Sequence, residues 1–333
     1  MAKKFTTVIL YLDRYRPVEF TPWSRFVRSF IESRRRRAIA ATTGGPGAVA
    51  RTLLRQLEIQ NPPLHWDFCF RDFSSSQCEV AWVVNEPADL EWAVRNRDRL
   101  HVRELWAGPN LVVVPEEFGG VLKSSRIDRI IVPTEWVADF YSDAYPPLQQ
   151  RITIWPAAIE TSAWMPSARP KKHWLVYNKY QDPLAAQITT ALQAMRANFV
   201  QIDYGTYSES QFRELLAESR GLIWLSRSES QGIALLQALS MDVPALVWNP
   251  GTWEYYSPSL KQTFRAPASS APYFSEQCGR IFRAFAEFPE VFTRFAAEAA
   301  SYRPRDYIMN SGFDLEENKQ RIIGLIEEGA AKL

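Results

Sequence analysis

Short apolar runs alternate along the chain with segments whose apolar positions recur every three or four residues. In the first half the runs Thr6–Leu12, Ala38–Thr42, Val80–Val84, Leu111–Val114 and Ile130–Val132 predict strands. In the second half Trp174–Tyr177, Phe199–Ile202, Gly221–Leu225 and Ala245–Trp248 do the same. Helical periodicity fills the gaps at Ala48–Leu57, Trp136–Tyr141, Ala185–Met195, Glu209–Ala217 and Ile233–Ser240. Strands alternating with helices in this way predict parallel βαβ units. The polar stretch Glu160–Lys172, with Met165-Pro166 and Arg169-Pro170, separates two such series. After Gly312, Leu315–Ile326 reads as a charged amphipathic helix.

Two Rossmann-like α/β domains meeting near residue 160 fit both this pattern and a length of 333 residues. Hydrophobic residues make up 46% and charged residues 23%, which excludes a disordered or fibrous chain. The 39 Lys and Arg against 37 Asp and Glu give a net charge of +2, too near neutral for a dedicated nucleic-acid binder. Cys69, Cys78 and Cys278 are scattered, so neither a disulfide framework nor a zinc site is expected. Met1-Ala2-Lys3-Lys4 runs into a strand-like segment without an apolar leader, and no apolar stretch reaches the length of a membrane span. The expectation is a cytoplasmic protein.

The sharpest motif begins Ser226-Arg-Ser-Glu-Ser-Gln-Gly-Ile233 and continues through Gln237 to Asp242-Val-Pro-Ala-Leu-Val-Trp248. It reads as a buried strand, a polar glycine-containing turn, a helix from Ile233, and a further strand after Pro244. A helix start at the carboxyl end of a parallel strand presents free N–H groups and a positive dipole end, which suits a phosphate. Glu229 in the turn and Gln237 eight residues later fall on one ligand-facing edge. A capped core helix behind a solvated loop fits the same spacing.

This stretch resembles the donor-site signature of retaining GT-B glycosyltransferases of the group 1, glycogen-synthase-like type. In that family a Ser-x-x-Glu-Gly-Phe-Gly turn leads a helix, and a second Glu follows the first by eight positions. The resemblance implies that Glu229 contacts the donor sugar and that the N–H groups of Gly232 and Ile233 hold the distal phosphate. Ser230 and Gln231 complete the turn. Gln237 replaces the acid that holds the ribose hydroxyls, and it offers hydrogen bonds without a charge. Asp242 stands where the family usually has Gly. Trp174-Leu-Val-Tyr-Asn178-Lys179 resembles the strand whose end supplies cations to the diphosphate. Here Lys179 offers one, and Arg227 is a second source of the missing charge. Ile202-Asp-Tyr-Gly205-Thr206 resembles the loop beside the nucleotide base. Arg129-Ile-Ile-Val-Pro-Thr-Glu-Trp136 and Ile152-Thr-Ile-Trp-Pro-Ala-Ala-Ile-Glu160 resemble the last acceptor-domain strands and the interdomain entry. The resemblance covers about residues 128–330.

Upstream of that, Thr43-Gly44-Gly45-Pro-Gly47-Ala-Val-Ala50 joins a predicted strand to a helix. Its place resembles the glycine-rich loop facing the donor. It also fits the GxGxxA dinucleotide fingerprint, with Asp67 as the matching acid, and it fits a simple tight turn. No Gly-Lys-Ser/Thr follows, so a Walker loop is excluded. Glu86 and Glu116 follow strand ends and are the acceptor-side candidates. Many relatives carry a His near the second place, whereas His65, His101 and His173 match no family position. Trp23–Arg37 is a basic amphipathic segment suited either to anionic lipid or to core packing with solvated arginines. No Asp-x-Asp motif and no metal-spaced cluster appears, so neither a metal nor another cofactor is expected.

The expectation is therefore an α/β protein of GT-B fold. Its parts are an acceptor-side domain 1–160, a nucleotide-sugar domain 161–312, and a C-terminal helix 313–333 crossing back to the first. The implied activity moves a sugar from a nucleotide-diphosphate donor to a glycan or lipid-linked acceptor hydroxyl with retention. A GT-B sugar-nucleotide epimerase and a non-catalytic nucleotide-sugar or glycan-binding relative are the alternatives.

Overall fold

The computed structural model describes residues 102–331 and 78–100 continuously, with segments 6–11, 18–19, 44–58, 64–67 and 70–71 and several residues between 30 and 39. The chain divides into two structural units. One comprises Met1–Ala158, Ser257–Gln262 and Glu316–Leu333, and the other Ile159–Tyr256 and Thr263–Leu315.

The first unit holds a six-stranded parallel sheet. Its strands are β1 (Thr6–Tyr11), β3 (Leu64–Asp67), β5 (Cys78–Val83), β6 (Val102–Ala107), β7 (Arg129–Val132) and β8 (Ile152–Ile154), in the order β3-β1-β5-β6-β7-β8. β2 (Val18–Glu19) and β4 (Phe70–Arg71) form a separate short pair. Helices α1 (Gly44–Glu58), α2 (Pro87–Arg95) and α3 (Glu135–Ala144) belong to this unit. So do residues 316–331 of the last helix, Leu315–Ala331. There Asn318, fully buried, accepts a bond from Gln56 Nε2 at 2.8 Å and donates to the Pro156 carbonyl at 2.6 Å.

Two predicted strands are corrected. Leu111–Val114 is a loop, because the Val113 and Val114 N–H groups donate to the Glu117 carboxylate instead of a ladder, and the strand before it is β6. Ala38 and Ile39 are helical, and the rest of Ala38–Thr42 lies outside the described residues. Gly44, Gly45 and Gly47 do not form a loop either. They make up the first turn of α1, which tolerates Pro46 because its missing N–H has no intrahelical partner there. Of the Trp23–Arg37 segment only residues 30, 33–35 and 37 are described, so the lipid-surface expectation lies outside the described residues.

The second unit is a five-stranded parallel sheet. Its strands are β9 (His173–Asn178), β10 (Phe199–Asp203), β11 (Ser219–Leu225), β12 (Ala245–Trp248) and β15 (Gly279–Phe282), in the order β10-β9-β11-β12-β15. A β13 (Thr252–Ser257) and β14 (Gln262–Pro267) hairpin leaves it after β12. Alternate residues of each central strand serve opposite faces. Leu175, Tyr177, Leu222 and Trp224 pack with α5 (Glu209–Ala217) and α6 (Ile233–Ser240). Trp174, Val176, Ile223 and Leu225 pack with α4 (Asp182–Ala194) and α7 (Phe288–Glu298). Both faces are covered, so the strands read as unbroken apolar runs. α5 starts on a capping box, Ser208 and Gln211 each bonding the other's backbone N–H.

Gly221 is where this packing leaves no room. A Cβ there would lie 2.8 Å from Trp174 Cζ3 and 3.0 Å from Phe295 Cζ, both rings of the α7 side. Gly221→Ala is expected to destabilise the protein by about 1–3 kcal/mol through overpacking. Urea denaturation with an unchanged midpoint would show that the rings yield freely.

Candidate active site

Parallel strands of the second unit end together, and the loops leaving β9, β10 and β11 carry most of the predicted donor residues. β11 runs into Ser226, which is buried, and the chain then turns through Glu229 to Gly232. Gly232 adopts φ 78°, a left-handed conformation that glycine takes without a Cβ penalty, and it is the N-cap of α6. Glycine at the N-cap has no side chain to cap the helix, and the first turn holds no acid.

Glu229 is the fixed point of the turn, 9% exposed. Its Oε1 accepts from Ser226 Oγ at 2.8 Å, and its own N–H donates to the Ser269 carbonyl at 2.9 Å. From the end of β9, Lys179 Nζ donates to Glu229 Oε1 at 2.8 Å and to Oε2 at 2.9 Å. Lys179 in turn is held by its backbone N–H on the Leu225 carbonyl, and its ammonium lies 4.8 Å from the centre of the Tyr204 ring. The predicted sugar contact and the predicted diphosphate cation thus form a forked ion pair. Ser226 and Tyr204, outside the predicted set, join it. Ser226 opens the motif, so its place was readable, whereas nothing in the sequence marks Tyr204.

The other donor candidates separate by what their side chains already do. Asn178 is buried, with its amide donating to Asp182 Oδ1 at 2.7 Å and Asp203 Oδ1 at 2.9 Å and its oxygen accepting from the Gln181 N–H. It ties together the ends of β9 and β10 and the start of α4. Gly205, at φ 84°, and Thr206 form an exposed turn after β10, where Thr206 Oγ1 donates to the Asp203 carbonyl at 2.8 Å. Ser230 is exposed and Gln231 buried. Gln237, half-buried one turn into α6, has no side-chain hydrogen bond among the described residues. Arg227 is exposed and lines a pocket with the β13–β14 hairpin.

Below the site, Tyr177 stacks on Trp224 with ring centres 4.4 Å apart and accepts a bond from Tyr207 Oη at 2.9 Å. Burial, reinforced by neighbouring phenols and by Glu229, holds Tyr177 well above the ordinary tyrosine range, and burial pushes Tyr207 up to about 12 against the opposing bond to Tyr177. Both are neutral donors at any physiological pH.

In the first unit Glu86 precedes α2, and its carbonyl accepts from the Asp89 and Leu90 N–H groups. Glu116 Oε1 pairs with Lys123 Nζ at 2.7 Å, while its Oε2 is buried without a hydrogen-bond partner among the described residues. The neighbouring Glu117 is buried and takes the Ser257 hydroxyl at 2.7 Å in addition to two backbone N–H groups. It is a loop-fixing residue. Among the described residues no group of three or more His, Cys, Asp or Glu side chains is arranged to hold a metal ion, and no helix is long and apolar enough to cross a membrane.

Neither a protein-family model nor a curated protein sequence matches this chain. Solved structures do. The lipopolysaccharide outer core galactosyltransferase WaaB is similar over 98% of this chain and 99% of its own, with TM-score 0.57 and 9% identity. Anabaena Alr3699/HepE, solved with UDP and glucose, is similar over 96% and 99%, with TM-score 0.56 and 12% identity. The pneumococcal O-GlcNAc transferase GtfA, solved with UDP and GlcNAc, matches 75% of this chain at TM-score 0.51 and 13% identity, and the match spans only 57% of GtfA. At such identities the likeness is one of fold, and with two parallel α/β units in the order described above, this chain has the GT-B fold.

Proposed function

We propose that the protein is a glycosyltransferase that moves a sugar from a nucleotide-diphosphate donor to an acceptor hydroxyl, with retention at the anomeric carbon and without a metal. The observation that carries this reading is the turn from β11 into α6, where Glu229 sits just before a glycine-led helix start and is gripped by Lys179. GT-B neighbours solved with UDP and GlcNAc and with UDP and glucose support the donor class.

In this reading the Gly232 and Ile233 N–H groups and Lys179 meet the growing charge of the leaving diphosphate. Glu229 holds the sugar hydroxyls, Gln237 the ribose, and the Gly205–Thr206 turn borders the base. The bond from the anomeric carbon to the diphosphate oxygen breaks as the acceptor oxygen attacks the same face. The acceptor proton passes to the leaving phosphate oxygen, so no protein base is needed. Glu86 and Glu116 remain acceptor-side candidates, and the acceptor itself is a glycan, free or lipid-linked.

Thermal-shift measurements against UDP-, GDP-, ADP- and dTDP-sugars test the reading, since a ligand that binds only the folded state raises its melting temperature. A flat response to all four defeats it. Donor binding without transfer points instead to a binding protein, and nucleotide release without acceptor to an epimerase.

Two further outcomes are expected. Turnover persists in EDTA, because N–H groups and Lys179 carry the leaving-group charge; activity lost to chelator and restored by Mg²⁺ contradicts that assignment. Gln237→Glu tightens nucleoside diphosphate binding by about 1 kcal/mol, the difference between a charge-assisted and a neutral hydrogen bond. Equal calorimetric affinities would remove Gln237 from the ribose.

A further inference from the structure

We propose that the donor site holds its nucleobase against the face of the Tyr180 ring rather than by the base's edge, and so accepts more than one base; this rests on the transferase reading above. Tyr180 follows Lys179 at the end of β9 and is 74% exposed. Its backbone sits at φ 57°, in the left-handed region that glycine enters freely and a bulky side chain enters at a cost.

The residues on either side impose that conformation. The Lys179 N–H donates to the Leu225 carbonyl at 2.8 Å, and the Gln181 N–H donates to Asn178 Oδ1 at 2.9 Å. Gln181 Nε2 donates back to the Lys179 carbonyl at 3.2 Å. A strained residue persists where its surroundings over-determine it, and such positions gather at ligand sites. Burial does not offset the strain, because most of the side chain meets solvent. Glycine would serve the turn better, so the reason for an aromatic ring lies outside the turn.

The position suits a base. Tyr180 meets the Tyr204 ring edge to face, with centres 5.5 Å apart and planes at 73°. Tyr204 directly precedes the Gly205–Thr206 turn, and its ring centre lies 4.8 Å from the Lys179 ammonium. One intervening ring thus separates Tyr180 from the cation assigned to the diphosphate, within the reach of a nucleotide held by that cation. A ring this exposed has an open face, and every base has a π-face to lay on it. Side chains able to read an edge are mostly engaged. The Asn178 amide donates to Asp182 and Asp203, the Thr206 hydroxyl to the Asp203 carbonyl, and the Tyr207 hydroxyl to Tyr177. Asp203 Oδ1 accepts from Asn178 and Gln201, which leaves Oδ2 as the oxygen without a hydrogen bond among the described residues.

Calorimetry with UDP, GDP, ADP and dTDP, and with inorganic pyrophosphate as a probe that has no base, tests this. The four nucleotides are expected to bind within about tenfold of one another. Tyr180→Gly is expected to weaken all four about tenfold, to leave pyrophosphate unchanged, and to keep or raise the melting temperature because the strain is relieved. Tyr180→Phe keeps the stacking face and should keep the nucleotide affinity. Three results each overturn the proposal. Nucleotides that bind Tyr180→Gly as they bind the wild type show that the ring does not touch the base. A single base preferred by more than about tenfold shows that its edge is read, by Asp203 if the base is guanine. A melting temperature and a pyrophosphate affinity that fall together with nucleotide affinity show that the ring only props the Lys179 turn. If Tyr180→Gly fails to fold, Tyr180→Leu removes the stack while keeping a side chain at the turn, and it must show the same nucleotide loss. A wild type that binds none of the five probes fails the donor reading itself, whereas nucleotide binding indifferent to Tyr180 fails this proposal alone.

Discussion

Glu229→Gln is expected to reduce turnover by roughly 10²-fold while nucleoside diphosphate binds at least as tightly as before. The two halves have opposite signs for one reason. In the structure the carboxylate occupies Lys179 through both oxygens and is itself steadied by Ser226. A donor sugar placed against Glu229 needs a double acceptor held to within a fraction of an ångström, and an amide has one acceptor and a donor that points the wrong way. The reactive pose is lost. A nucleoside diphosphate without its sugar makes no use of Glu229 and is repelled by it, so neutralising that charge releases Lys179 for the phosphates. Gln keeps the shape and one hydrogen bond to Lys179, so the fold is not at issue. Steady-state kinetics and calorimetry on one preparation separate the effects. An unchanged kcat removes Glu229 from the reaction, and weaker nucleotide binding would mean that the carboxylate orients Lys179 rather than competing for it.

The second unit was the more legible in the sequence, for physical reasons. β12, α5 and α6 have the bounds that periodicity predicts, because a strand buried on both faces reads as an unbroken apolar run and α5 begins on a capping box. In the first unit apolar content misled. Leu111–Val114 has the composition of a strand, but its N–H groups are satisfied by the Glu117 side chain, a partner that no local pattern reveals. The glycines at 44, 45 and 47 suggested a loop, yet a helix's first turn accepts glycine and proline alike. The β13–β14 hairpin escaped because Thr252–Ser257 alternates aromatic and polar residues without a tight-turn dipeptide, and with it went the pocket of Arg227. The motif placed Glu229 and Lys179 in one region, but their pairing spans 50 residues and depends on β9 and β11 being neighbours in the sheet.

That pairing also sets an expected effect on stability. Lys179→Ala removes the neighbouring cation from a carboxylate whose side chain is 10% exposed, against 24% for the lysine. Removing one partner of a fully buried pair costs about 3–5 kcal/mol, and an exposed pair contributes about 0–1. This pair lies between, so a loss of about 1–3 kcal/mol is expected. Adding Glu229→Gln to Lys179→Ala should then recover much of the loss, because the amide has no uncompensated charge to bury; residues in contact are where such non-additivity arises. Nucleoside diphosphate affinity should fall in Lys179→Ala and stay low in the double variant, since the cation is missing from both. Stability and binding therefore part company in the double variant, which a general loss of structure cannot imitate. If it is as unstable as Lys179→Ala, the charge of Glu229 is not what Lys179 offsets; if it binds nucleotide as the wild type does, the leaving-group charge is met by the α6 N–H groups without help from Lys179.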